Sequence, residues 1–215
     1  MKEYYIQDDC QVKGLSKIYE KYFGLKGNGS FVDVGAYDGK TYSNTYGLAI
    51  AGWSGICFEP VLPFYLKCKH NLSFNENVNV INLAIGYYES DVTFNIAGAV
   101  STCNQAQLNS EYWKGDYKYS STAIARMTPL DSALNKRTIV KRGFDLLNVD
   151  VEGCETDVLR GFDIEYWIPK MVIVEAQEMH PAKELTLQAP FINKYFKDAG
   201  YKKIYCDEIN NIYVL

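Results

Sequence analysis

The sequence predicts an α/β fold, a mostly parallel sheet covered by helices and closed by an antiparallel hairpin at the C-terminus. Three observations carry this. Short β-rich runs alternate with helical ones, the pattern of strand–helix–strand units. The run Phe31-Val32-Asp33-Val34-Gly35-Ala36-Tyr37-Asp38-Gly39 is a buried strand that enters a glycine turn and then a helix. Finally, Tyr201 to Cys206 and Ile212 to Leu215 form two short strands around Asp207-Glu208-Ile209-Asn210-Asn211, which sets an antiparallel strand at the sheet edge.

In order, Val12 to Leu25 carries Leu15, Ile18, Tyr19, Tyr22 and Phe23 at helical spacing and stops at Gly27-Asn28-Gly29. The predicted strands are Ser30 to Val34, Gly55 to Glu59, Val78 to Leu83, Asp145 to Asp150 and Met171 to Glu175. Helical patterns begin near Tyr42, Leu62, Glu155 and Pro181. Residues 97–127, with Tyr112, Trp113, Tyr117 and Tyr119, show no clear period and are expected to be a long insertion and acceptor lid.

A chain of 215 residues is long enough for one well-buried core and is read as a single domain over 1–215, with 1–29 as an N-terminal helical segment. Its formal charge of −4 offers no broad cationic field, so nucleic acid and anionic membrane are not expected partners. Lys136, Arg137, Lys141 and Arg142 form a local basic cluster, either a solvated turn or a contact for one anionic group. The six cysteines include no CxxC pair and no Cys/His set of structural-zinc spacing. The polar start, Lys2-Glu3-Tyr4-Tyr5, and the lack of a long apolar run lead to the expectation of a cytoplasmic protein. Oligomeric state is left open.

Ligands of open α/β sheets bind beyond the carboxyl ends of the strands, so the turn after Val34 faces the binding crevice. Gly35 allows close backbone approach, and Gly39 allows a tight turn or close helix packing. Only two of the three glycines of the dinucleotide fingerprint are present, which argues against a nicotinamide-dependent oxidoreductase. The second strand ends in Glu59, about 20 residues beyond Gly39. Glu59 is either an acid for two ribose hydroxyls or a cap around Pro60. Ser43-Asn44-Thr45 reads equally as helix caps or as ligand contacts.

At the fourth strand's end, Asp150 and Glu152 are expected to project to one side and into the same crevice. Neighbouring carboxylates favour a raised pKa or a shared proton or cation. The alternative is that they cap the following helix. The fifth strand brings Glu175, Gln177, Glu178 and His180 to that rim. His180 is a base at neutral pH, a metal ligand or a solvated loop residue. A divalent ion among Asp150, Glu152, Glu175 and His180 is chemically feasible, but no metal is assigned.

Phe31 to Pro60 (FVDVGAYDGKTYSNTYGLAIAGWSGICFEP) resembles the first two motifs of the FkbM family of methyltransferases, and Leu146 to Phe162 (LLNVDVEGCETDVLRGF) resembles its later signature. Asn82 to Gly86 is similar to the family's segment after the third strand, Met127 to Asp131 to its lead into the fourth, and Met171 to Glu175 to its fifth. The resemblance spans about Ser30 to Glu178. It implies a Rossmann-like methyltransferase fold, S-adenosyl-L-methionine as cofactor, and a hydroxyl of a sugar, glycan or small metabolite as acceptor. It further implies that Asp33, Gly35, Ala36 and Gly39 line the cofactor's methionine part, that Glu59 holds its ribose, and that Asn82 to Ala84 border its adenine. Tyr37 and Asp38 stand where many relatives carry Asn and a small or apolar residue. On this reading Asp150, then Glu152, positions the acceptor or the cofactor's amino group, with His180 as a further candidate base. The competing reading is a non-catalytic module that binds the cofactor without turnover.

Overall fold

The computed structural model describes residues 3–104, 108 and 121–215. In chain order the elements are α1 (Leu15–Phe23), β1 (Ser30–Val34), α2 (Tyr46–Ile50), β2 (Ser54–Phe58), α3 (Leu62–Asn71), β3 (Val78–Ile81), β4 (Ala84–Gly86), β5 (Ser90–Ile96) and β6 (Ser121–Pro129). They continue with α4 (Leu130–Asn135), β7 (Leu146–Val149), α5 (Glu155–Arg160), α6 (Ile164–Trp167) and β8 (Met171–Glu175). A 3₁₀ turn (Lys183–Gln188), α7 (Ala189–Asp198), β9 (Lys202–Cys206) and β10 (Asn210–Val214) complete the chain.

Seven strands form one sheet in the order β3-β2-β1-β7-β8-β10-β9, parallel as far as β8, with β10 antiparallel to both β8 and β9. The predicted α/β class and closing hairpin are both present. Strand order moves outward from β1 to β3 and then crosses back to β7, so β1 and β7 flank the switch point where such sheets bind ligands.

Alternation along the strands sorts side chains between the two faces. Val32, Val34, Ile56, Phe58, Leu147, Val149, Val172 and Val174 pack in one core with residues of α4, α5, α6 and α7. Phe31, Cys57, Leu146, Met171, Ile173 and Ile212 pack in the other with α1, α2 and α3. Both faces being covered, the central strands read as near-continuous apolar runs, as buried parallel strands do. The polar residues of the second face, Asp33 and Asn148, are buried and hydrogen-bonded to each other.

The insertion over 97–127 is corrected in part. Ser121–Pro129 is a long strand pairing antiparallel with β5 and parallel with β4, so a second three-stranded sheet sits beside the first. The small and polar residues Ser121, Thr122, Ala123, Ala125 and Thr128 hide its period, and Ile124 faces solvent. Tyr112, Trp113, Tyr117 and Tyr119 lie outside the described residues.

Several boundaries also move. The first helix ends at Gly24, whose φ of 65° suits glycine, ahead of the expected stop at Gly27-Asn28-Gly29. The helix expected near Tyr42 starts at Tyr46, because the Ser43 hydroxyl accepts from the Thr45 and Tyr46 N–H groups. The helix expected near Pro181 starts at Ala189, after the 3₁₀ turn. The last strand starts at Asn210: Asp207 accepts from Ile209 N and Asn210 N and closes a shorter turn.

Candidate active site

Strand register builds the site. Val34 pairs with Phe58 on one side and with Val149 on the other, and Val149 pairs with Val174. The next residues, Gly35, Glu59, Asp150 and Glu175, therefore stand in a row along one end of the sheet. An added Cβ on Gly35 would lie 1.7 Å from the Asp150 carbonyl oxygen, and its φ is 90°. Glycine is required there because the β7 backbone closes in, and the Gly35 and Ala36 N–H groups both donate to Phe58 O at 3.0 Å. Gly39 has φ 75°, and its added Cβ would lie 2.7 Å from Cys68 Sγ, so it seats the turn on α3. Ala36 and Asp33 border a small polar niche with Thr41, Asn44 and Asn148.

Asp33 accepts from Thr45 Oγ1 at 2.5 Å and Asn148 Nδ2 at 2.9 Å, and Asn44 Nδ2 donates on to Asn148 Oδ1 at 3.1 Å. Burial pushes the Asp33 carboxyl up to about 6, against these two donors. Glu59 is also buried: Oε1 accepts from Val61 N at 2.7 Å at the head of α3, as the expected cap around Pro60 would, and the residue lines the pocket. Its Oε2 accepts from Tyr37 N at 2.9 Å. Burial pushes the Glu59 carboxyl up to about 8. Asn82 Nδ2 donates to Glu59 O at 2.9 Å and Pro60 O at 2.8 Å, fastening the turn that carries Glu59, while Ala84 lines the pocket wall.

This pocket holds about 560 Å³ of empty space, part of it open to solvent. Phe58, Phe64, Leu83 and Ile85 give it apolar walls, and Glu59, Asp150 and Glu152 are its charged lining. Tyr37, Ala99 and Glu152 line it and also line a wider cleft of about 1190 Å³ that reaches Glu175, Gln177 and His180. The two spaces are thus adjoining parts of one crevice.

At the junction the expected strand geometry is corrected. β7 ends at Val149, and Glu152 has φ 55°, so Asp150 and Glu152 are not alternate residues of a strand. The turn brings them together nonetheless: one carboxylate oxygen from each of Asp150, Glu152 and Glu175 lies within 4.8 Å of the others. These three are the described residues able to share a cation or a proton. Burial raises the Asp150 carboxyl above its ordinary range, with Gln11 and Glu175 as hydrogen-bonding neighbours. Burial, then the negative charges of Glu152 and Asp150, hold Glu175 well above its ordinary range. Gln177 Nε2 donates to Glu175 Oε1 at 2.6 Å. The buried His180 accepts from Ala182 N at its Nδ1, 3.1 Å away, and lines the wider cleft.

Neither Asp150 nor Glu152 caps the following helix, whose N-terminus has no side-chain cap; Glu155 instead fastens the turn before it. Its Oε1 accepts from Val151 N at 3.1 Å and Gly153 N at 3.0 Å, and Gln188 Nε2 donates to its Oε2 at 2.7 Å. Glu155, Gln11, Thr41 and Tyr42 were not singled out as site residues from the sequence, since only the tertiary fold brings Gln11 and Tyr42 beside Glu152. One trait groups several of them. Tyr37, Tyr42, Glu152 and Gln177 have φ of 49°, 59°, 55° and 46° and all line the cleft. Left-handed backbone costs a non-glycine residue about 1–3 kcal/mol, and such strain concentrates at functional sites.

The FkbM methyltransferase domain matches residues 33–203 of this sequence. The chain belongs to the FkbM methyltransferase family. It is accordingly an S-adenosylmethionine-dependent methyltransferase by family. No curated protein matches the sequence. Among solved structures, the ribosomal protein L11 methylase of Lactobacillus delbrueckii subsp. bulgaricus is similar at TM-score 0.50 and 12% identity, over 95% of this chain and 78% of that one. A precorrin-6y C5,15-methyltransferase of Geobacter metallireducens GS-15 gives TM-score 0.49 and 9% identity over 97% and 94% of the two chains. A SAM-dependent methyltransferase of Aquifex aeolicus gives 0.46 and 12% over 93% and 87%. At such identities the first of these speaks for the fold alone. No helix among the described residues is long and apolar enough to cross a membrane.

Proposed function

We propose that this FkbM family member methylates a hydroxyl of a sugar, glycan or small metabolite, with S-adenosylmethionine in the 560 Å³ pocket and the acceptor in the adjoining cleft. The observation that carries the reading is the shared wall: Tyr37, Ala99 and Glu152 belong to both spaces, so ligands in the two meet beside the carboxylates. The residues present fit the cofactor. Glu59 offers a carboxylate to two ribose hydroxyls, and Leu83, Ala84 and Ile85 offer an apolar border to adenine. Asp33, Gly35 and Ala36, around the polar niche, receive the methionine part. Gly39 and Asn82 serve the same site indirectly, one by seating the glycine turn on α3 and the other by holding the Glu59 turn.

When bound, S-adenosylmethionine supplies an electrophilic methyl group on a sulfonium sulfur. The chain's own work is alignment and proton transfer. Asp150 would take the proton of the acceptor hydroxyl, and bound S-adenosylmethionine would supply the methyl group. A carboxyl raised by burial is a stronger base than an exposed one. Glu152 and His180, at the cleft side, orient the acceptor.

The test is calorimetric titration with S-adenosylmethionine and S-adenosylhomocysteine, followed by transfer of a labelled methyl group to a panel of hydroxylated acceptors. Cofactor binding with labelled product only on hydroxyls supports the reading. Binding without turnover on any acceptor leaves the non-catalytic module in its place.

A further inference from the structure

Cys103 and Cys154 lie 51 positions apart in sequence, yet their Sγ atoms are 3.2 Å apart. The approach comes from a docked segment. Thr102 bridges to Asn95 through N–H···O bonds of 2.8 and 3.1 Å, which folds the chain after β5 back on itself. Thr102 Oγ1 then donates to Glu152 O at 2.6 Å, and Asn104 Nδ2 donates to Gly153 O. The segment carrying Cys103 is therefore latched to the turn that carries Asp150, Glu152 and Cys154. Both thiols are partly exposed and both line the pocket proposed for the cofactor. Residues Gly98, Ala99 and Ser101, just before Cys103, line the same pocket.

We propose that Cys103 and Cys154 are an oxidative modification site, at which a hydroperoxide forms a disulfide that pins the segment 97–104 across the mouth of the cofactor pocket. A disulfide requires the sulfurs to close to about 2.05 Å, a shift of roughly half an ångström each, within reach of side-chain rotation. The Cys154 thiol donating to Cys103 lowers the Cys103 thiol toward the thiolate, the attacking form. The Cys103 thiolate attacks one peroxide oxygen, forming a sulfenic acid and releasing the alkoxide or hydroxide, which takes up a proton. Cys154 sulfur then attacks the sulfenic sulfur and displaces hydroxide, which leaves as water with the Cys154 proton. In total two thiols and one hydroperoxide give one disulfide, one alcohol or water, and one water.

Cys57 and Cys68 provide an internal contrast. Their side chains also interact, and both are fully buried between β2 and α3. Proximity is common to the two pairs and access is not, so peroxide distinguishes them.

The experiment treats the native protein with one equivalent of hydrogen peroxide and counts thiols after denaturation, with peptide mass mapping of the product. The expected result is a fall from six thiols to four, and a linked Cys103–Cys154 peptide lighter by two hydrogens. In Cys154→Ser the link is lost, and dimedone traps a sulfenic acid at Cys103. Six remaining thiols, a link at Cys57–Cys68, or a link between chains would overturn the site. The pinning of the segment rests on the proposed function and is read separately, as dissociation of S-adenosylhomocysteine. It should slow by about fivefold or more on oxidation, the lower end of ordinary coupling between sites. Unchanged dissociation from a linked protein overturns the pinning, whereas failure of reduced protein to bind S-adenosylhomocysteine at all counts against the cofactor reading and leaves the mapped disulfide standing.

Discussion

Glu59 follows β2 and Glu175 ends β8 in one sheet, and both are buried acids at the same crevice, yet their surroundings differ. Glu59 accepts from two backbone N–H groups, at Tyr37 and Val61, each fixed by the local turn. Glu175 accepts from the Gln177 side chain at Oε1, its buried Oε2 has no hydrogen-bond partner among the described residues, and one of its oxygens lies within 4.8 Å of carboxylate oxygens of Asp150 and Glu152. The first carboxylate is held in place by local backbone donors. The second depends on a shared proton or cation, because three anions this close repel. One end of the crevice is thus built to grip, and the other to change its protonation.

The largest effect should come from the changeable end. Asp150→Asn keeps the size of the side chain and removes its basicity, so turnover is expected to fall by roughly 10²- to 10⁴-fold, the range of general-base catalysis. Affinity for S-adenosylhomocysteine should change far less. A parallel loss of both would move Asp150 from the acceptor to the cofactor's amino group, and unchanged turnover on a working acceptor would end its role in the reaction. Glu152→Gln belongs in the same series, since close acids titrate as a set and substitute for each other.

At the gripping end, Glu59→Ala should weaken S-adenosylhomocysteine by about 10- to 150-fold, from the roughly 1.5–3 kcal/mol of hydrogen bonds to a charged group. Turnover at saturating cofactor should be nearly preserved, in contrast with Asp150→Asn. Full affinity in a folded variant removes Glu59 from the ribose.

The two ends also differed in how far they could be read in advance. Gly35, Gly39 and Glu59 belong to one continuous stretch whose alternation and glycines are local signals, and their placement needs only the β1–β2 register. The reacting end draws on Gln11, Tyr42, Glu152, Glu175 and His180, which are distant in sequence and meet only through the sheet order. Asp150 and Glu152 were visible as acids, but the turn that joins them depends on Glu155 and on left-handed Glu152. The second sheet escaped notice for another reason. β6 is half-exposed and built of small residues, so it carries almost no hydrophobic alternation, and its pairing with β5 supplies the order instead.

Acid stability sharpens the contrast further. Glu59 rises to about 8, Glu155 to about 7 and Asp33 to about 6, each above its ordinary value chiefly through burial. The folded protein therefore holds protons that the unfolded chain has released, and stability present below about pH 4.5 is lost as pH rises toward 8. Asp145 and Glu178 act oppositely: their lysine partners lower them, so their contribution is lost as pH falls below the ordinary carboxylate range. The cofactor-free protein should be most stable in mildly acidic buffer, with a progressive loss of stability as pH rises to 8. Denaturant melts across pH check this. Glu59→Gln should flatten the decline, and a decline unaltered by that change would assign it to the other raised carboxyls, Asp33, Asp150, Glu155 and Glu175.

The smallest effect is expected at Asn82, and it separates two ways of serving the cofactor. Its side chain donates to the carbonyls of Glu59 and Pro60, and Leu83 and Ala84, not Asn82, line the pocket wall. If it acts by holding the Glu59 turn, Asn82→Ala should weaken S-adenosylhomocysteine by only about 2- to 12-fold, the worth of roughly 0.5–1.5 kcal/mol. A direct contact with adenine predicts a loss of similar size, so the single variant does not decide. The double variant does. Once Glu59→Ala has removed the carboxylate, nothing remains at that turn for Asn82 to orient, and adding Asn82→Ala should cost almost no further affinity. Additive losses would mean that Asn82 touches the ligand independently of Glu59, since residues acting through one group are coupled and residues acting separately are not.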